Sequence, residues 1–63
     1  MIRYFNMPDT RTAVALLLEP GSPAASATEE QMSKNFGVRM QEVTHKEYKR
    51  LAHDYQEALQ NGR

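Results

Sequence analysis

A chain of 63 residues that contains no cysteine must hold itself together by apolar packing around one small core, or by resting on a partner. Disulfide staples and thiolate metal sites are both excluded. At this length there is room for a single domain, residues 1–63, and its stability is expected to be marginal. Apolar surface that such a core leaves bare therefore carries more meaning than it would in a larger protein.

The charge pattern removes further possibilities. Eight basic and eight acidic side chains cancel, with two histidines in addition, so the strong positive field of a non-specific nucleic-acid binder is missing. The longest apolar run, Ala13 to Leu18, is far shorter than the roughly 20 residues needed to span a bilayer. Met1-Ile2-Arg3 lacks the charged-then-apolar order of a signal peptide, so a cytoplasmic protein without a membrane partner is expected.

Punctuation divides the chain. Ile2 to Phe5 is rich in strand formers, and Thr12 to Leu18 is the next apolar run. Between them, Pro8 presets φ for a turn and Asp9 can accept from backbone amides just beyond, which predicts a β-hairpin. A helix over Thr12–Glu19 competes with the second strand, because alanine and leucine favour helix and so short a run has no decisive period. Glu19 to Ser26, with two prolines and a Pro-Gly step, reads as a break, and residues 19–27 as an exposed loop.

Two start signals then overlap, Ser26 with Glu29 and Thr28 with Gln31, and Gly37 supplies a stop. Met32 and Phe36 are the main apolar residues of this short helix. Val38 to Val43 reads as a third strand on the alternation of Val38 and Met40, while Val43 falls on the other parity and suits the position before a helix cap. Thr44 and Glu47 form a capping box for a last helix that carries Tyr48, Leu51, Ala52, Tyr55 and Leu59 along one face, with Asn61-Gly62 as its end. The expected fold is α+β: a small β-β-α-β-α domain, its short sheet covered on one face by helices, chiefly the C-terminal amphipathic one.

Arg3-Tyr4-Phe5 followed by Pro8-Asp9, and Glu42-Val43-Thr44 with Glu47-Tyr48 and Leu51, together resemble small uncharacterised proteins of phages and bacteria that pair an "RYF…PDG" hairpin with an "EVTxxEYxxL" helix start. The resemblance spans about half of the chain and departs from the pattern at Thr10, where the turn glycine would stand. It implies a compact hairpin-plus-helix protein and brings no activity with it.

Catalytic chemistry finds no foothold in the residues. Ser22, Ser26 and Ser33 stand in no glycine-flanked elbow with a base, and Gly21, Gly37 and Gly62 are too scattered for a phosphate loop. His45, His53 and Glu57 fall short of the donor set that a zinc site normally needs, so neither metal nor cofactor is expected. Glu29-Glu30 and Asp54 with Glu57 lie on expected solvated faces, where nothing would shift a carboxyl pKa.

Two surfaces are left as candidates. If Leu16 and Leu18 face the helices, Leu17 and Ala15 face away, and a two-fold homodimer through the sheet or its edge would bury Leu17, Ala15 and Phe5 together. The alternative is an anion or nucleic-acid contact made by Lys46, Lys49, Arg50 and His53, joined by His45, Arg39 and Arg3. These cations crowd the first half of the last helix, the end that the backbone dipole makes positive. The expected function is that of a non-enzymatic protein-interaction or accessory protein, phage-encoded in keeping with the resemblance, with weak nucleic-acid binding as the alternative.

Overall fold

The structure is a computed structural model that describes residues 1–61, with side chains through residue 58. Strands β1 (Ile2–Met7) and β2 (Thr12–Leu17) form the hairpin, and β3 (Gln41–Val43) adds on the other side of β1. The result is a three-stranded antiparallel sheet in the order β2-β1-β3. Helices α1 (Pro23–Ser26) and α2 (Glu29–Phe36) lie between β2 and β3, and α3 (His45–Asn61) closes the chain. The fold is the expected small α+β domain.

Strand, and not helix, is the outcome over residues 12–17. Val14 and Leu16 rest on the core from one face of the sheet, and the register places Ile2 opposite Leu17, Tyr4 opposite Ala15 and Phe5 opposite Val14. Met1 and Leu18 extend the ladder, each donating from its nitrogen to the carbonyl of the other. The turn is a 3-10 stretch, Pro8–Thr10, closed by Arg11 at φ 49°, so the left-handed position falls one residue after Thr10. Arginine there sits where glycine or asparagine is easier.

Because side chains alternate across a strand, the register sorts the sheet into two faces. Arg3, Phe5, Met7, Val14 and Leu16 share one, against α2; Phe5 is fully buried there with Met32 and Met40. Tyr4, Asn6, Ala13, Ala15 and Val43 share the other, against α3. The helices therefore cover opposite faces, correcting the expectation of one covered face: the parity of β1 is fixed by Phe5, so Tyr4 must point the other way to meet Tyr48.

Several core assignments move with this parity. Phe5, expected on an interaction surface, is the most buried residue of the core, at 0% exposure. Ile2 is 52% exposed, and Phe36, at the last turn of α2, is 54% exposed. Tyr48, Leu51, Ala52 and Tyr55 are half-buried as the α3 stripe requires, whereas Leu59 and Gly62 fall outside the described side chains and residues.

The third strand is shorter than expected and starts later. Val38 to Met40 is irregular: Ser33 on α2 accepts from the Met40 amide at 2.8 Å and donates to its carbonyl at 3.3 Å. A side chain thus takes the bonds that a neighbouring strand would have made, and Met40 is held inside the core. Residues 19–27, expected as an exposed loop, instead hold the single-turn α1, capped by Ser22 accepting from Ala25, and Ala27 packs against the core, because this segment lies over the Phe5 face. Of the two start signals for α2, Thr28 with Gln31 is the one used, both bonds of its capping box being made, and Gly37 ends the helix at φ 71°. Thr44 accepts from the Glu47 amide and so caps α3.

Candidate contact surfaces

The first surface follows from where α3 lies. Its start meets the middle of β1, with His45 and Tyr48 each 5.0 Å from the Tyr4 ring, and further along Tyr55 donates to Asn6 at 2.7 Å. Tyr55 and Ala58 then line a small cleft of about 220 Å³ with Thr10, Arg11 and Thr12 at the turn end. The helix thus crosses the face toward the hairpin turn and leaves the opposite end of that face bare. Leu17 is 82% exposed there, beside its exposed neighbour Ile2 and near the exposed Ala15.

The same corner has an open edge. Strand β2 is paired only with β1, so one side of its backbone faces away from the sheet. Since Met1 and Leu18 exchange both bonds, alternation makes Ala13, Ala15 and Leu17 the residues whose amides and carbonyls point outward. No charge interrupts Thr12 to Leu18, the device by which proteins usually blunt an edge. The β3 edge is treated differently: the Glu29 carboxylate accepts from the outward Glu42 amide.

The second surface is the start of α3. Lys46, Lys49, Arg50 and His53 are all exposed, as the helix pattern requires. His53 lies 3.2 Å from Glu57, and among the described residues Lys46, Lys49 and Arg50 enter no ion pair. Arg3 and Arg39 do not join this patch. Arg39 pairs with Asp9 at 3.3 Å near the turn, and Arg3 points to the other face.

Among the described residues Arg3 is the one buried charge, 9% exposed, and each of its guanidinium nitrogens donates a hydrogen bond. Nε and Nη2 each donate to Glu42 at 2.9 Å, Nη1 donates to the Ala24 carbonyl at 2.9 Å, and the plane lies 5.0 Å over the Phe5 ring. These hydrogen bonds, opposed by burial and reinforced by the paired charge, hold the Glu42 carboxyl below its ordinary range and raise Arg3 further. With all three of its nitrogens engaged, this arginine ties the 19–27 segment and β3 to β1.

A groove of about 790 Å³ runs between α1 and α2, lined by Ser22, Ala24, Gln31, Lys34 and Asn35 among others. Its walls are small and polar side chains, with no carboxylate, histidine or buried hydroxyl aimed into it. Among the described residues no three His, Cys, Asp or Glu side chains gather as metal ligands, and no helix is long and apolar enough to cross a membrane. Compared with family models, curated proteins and solved structures, the chain shows no match.

The sequence placed Ala15 and Leu17 on a face without a helix and the α3 cations on one helix side; the structure keeps Ala15 and Leu17 on one face, but it is the face that α3 packs on, bare only at its Leu17 end, and it keeps the cations on one side of α3. It separates Phe5 from the first set and Arg3 and Arg39 from the second. Ile2 was missed as a surface residue. Its pairing with Leu17 could have exposed it, but that needs the hairpin register.

Proposed function

We propose that this chain is a small non-enzymatic interaction protein that acts through the end of the sheet that neither helix covers. The observation that carries the reading is Leu17, 82% exposed beside Ile2 on an uncharged free edge. A domain this small gains little from leaving such side chains in water, and an apolar patch next to unpaired strand backbone is a ready docking surface. The partner is a protein, and an accessory role in the cytoplasm fits the hairpin-plus-helix layout that resembles small phage and bacterial proteins.

Retention of a protein partner by tagged chain tests this directly. Leu17→Lys should abolish retention while leaving the circular dichroism spectrum unchanged. Joint replacement of Lys46, Lys49 and Arg50 by alanine should leave retention intact. A partner that survives Leu17→Lys would overturn the reading.

One observation favours a second reading, weak nucleic-acid binding: Lys46, Lys49 and Arg50 are exposed together and unpaired among the described residues. Each phosphate contact would add to a salt-dependent affinity. Heparin retention that falls steeply with salt, and disappears in the triple alanine variant, would move the conclusion to this surface.

A further inference from the structure

We infer that the partner of the β2 edge is a second copy of this chain, joined antiparallel about a two-fold axis through Ala15. The inference rests on the contact-surface reading above and adds to it an occupant and a register. A two-fold axis perpendicular to the sheet would place the edges of two β2 strands side by side, with like faces on like sides and one sheet running through both copies.

The residues from Arg11 to Glu19 complement themselves about Ala15. Ala13 of one copy would face Leu17 of the other, so the exposed Leu17 meets a residue small enough to accept it. Val14 would face Leu16 on the α2 side, where both are half-buried and already rest on the core. Ala15 would face itself. These facing odd-numbered residues are the ones whose backbone groups point outward, so each such pair exchanges two hydrogen bonds.

Charge closes the register at both ends. Arg11, the turn residue just before β2, would face Glu19 beyond the end of the neighbouring β2, and the two-fold axis repeats the pair. Both residues are exposed, and among the described residues neither enters an ion pair within the monomer. Moving the axis one residue earlier would set Arg11 against Leu17. Moving it one later would set Thr12 against Pro20 and Ala13 against Glu19. Only the Ala15 axis matches opposite charges, small with large side chains, and the full length of the uncharged edge.

Sedimentation equilibrium of the whole chain tests the inference. Wild type should populate dimers at micromolar to sub-millimolar concentration. Ala15→Pro removes an amide that the monomer leaves outward, a position where edge strands tolerate proline, and should give a folded monomer. Arg11→Glu and Glu19→Arg should each weaken self-association about tenfold at low salt, because like charges then meet at both ends. Mixed in equal amounts, these two variants should form a heterodimer tighter than either homodimer, since both ends again pair opposite charges.

A wild-type chain that stays monomeric at about 1 mM would overturn the dimer. So would a dimer indifferent to Ala15→Pro, or a mixture no tighter than its components. Should Ala15→Pro fail to fold, the charge-exchanged mixture decides. Loss of a different protein partner in Leu17→Lys, with the wild type monomeric, would sink this inference while the contact-surface reading stands.

Discussion

The two faces of this sheet are built from adjacent residues of the same strands, yet one is closed and the other half open. On the Phe5 face, Met32 and Met40 fit around a ring with no exposure, and Arg3 roofs that ring with its guanidinium satisfied by Glu42 and Ala24. On the Tyr4 face, a helix of 17 residues crosses toward the turn and leaves Ile2 and Leu17 in water. The difference shows that helix length does not measure coverage. The eight residues of α2 close their face because side chains from β1, β2 and the Met40 segment converge beneath them, whereas α3 covers only the part of the sheet it crosses.

The sharpest way to break the contrast is to open the closed face. Phe5→Ala should cost about 3–5 kcal/mol, close to the whole stability of a domain this small, and leave the chain largely unfolded by circular dichroism at 25 °C. Ser33→Ala, which frees the Met40 amide and carbonyl behind the same core, should cost about 1–2 kcal/mol in urea denaturation without altering the unfolding slope. On the open face, Tyr55→Phe loses only the hydroxyl bond to Asn6 and should cost about 0.5–1.5 kcal/mol. Leu17→Ser should change monomer stability by less than about 0.5 kcal/mol, since that side chain touches little within one copy. An effect of Leu17→Ser as large as that of Ser33→Ala, measured at a concentration where the chain is monomeric, would mean that the bare corner is covered after all.

Acid gives a separate test of the closed face. The folded Glu42 carboxyl sits below its ordinary value, so its contribution is fully present above the unfolded pKa of about 4.3 and is lost as pH falls through the lower folded value. Arg3 stays protonated throughout and adds no slope in that range. Denaturation midpoints should therefore decline below about pH 4, and Glu42→Gln should be less stable at pH 7 with a flatter acid limb. The effect is modest because the carboxylate is partly exposed.

Local chemistry was legible without any structure. The hairpin turn at Pro8-Asp9, the Thr28–Gln31 capping box, the Gly37 stop and the Thr44–Glu47 start of α3 each depend on residues within a few positions of one another. The exposure of the α3 cations was legible for the same reason, since helical period alone assigns them a side. Leu17 and Ala15 were placed correctly relative to each other by the alternation of one strand.

What depended on distant parts of the chain was decided only when they came together. Alternation says that Tyr4 and Phe5 point opposite ways; it does not say which side receives α2 and which receives α3. Phe5 was assigned to the surface because the offset between strands is set by the turn, and the turn's left-handed residue is Arg11. The Val38–Met40 segment looked like strand, but a serine on α2 takes its backbone bonds. Arg3 looked like a free cation until Glu42, from β3, came beside it. Short-range sterics and capping bonds are written residue by residue, whereas burial is shared by segments far apart along the chain. The starts and stops of α2 and α3 therefore came from the sequence, whereas the strand over residues 12–17, the short α1, the late start of β3 and the choice of which face stays open came from packing.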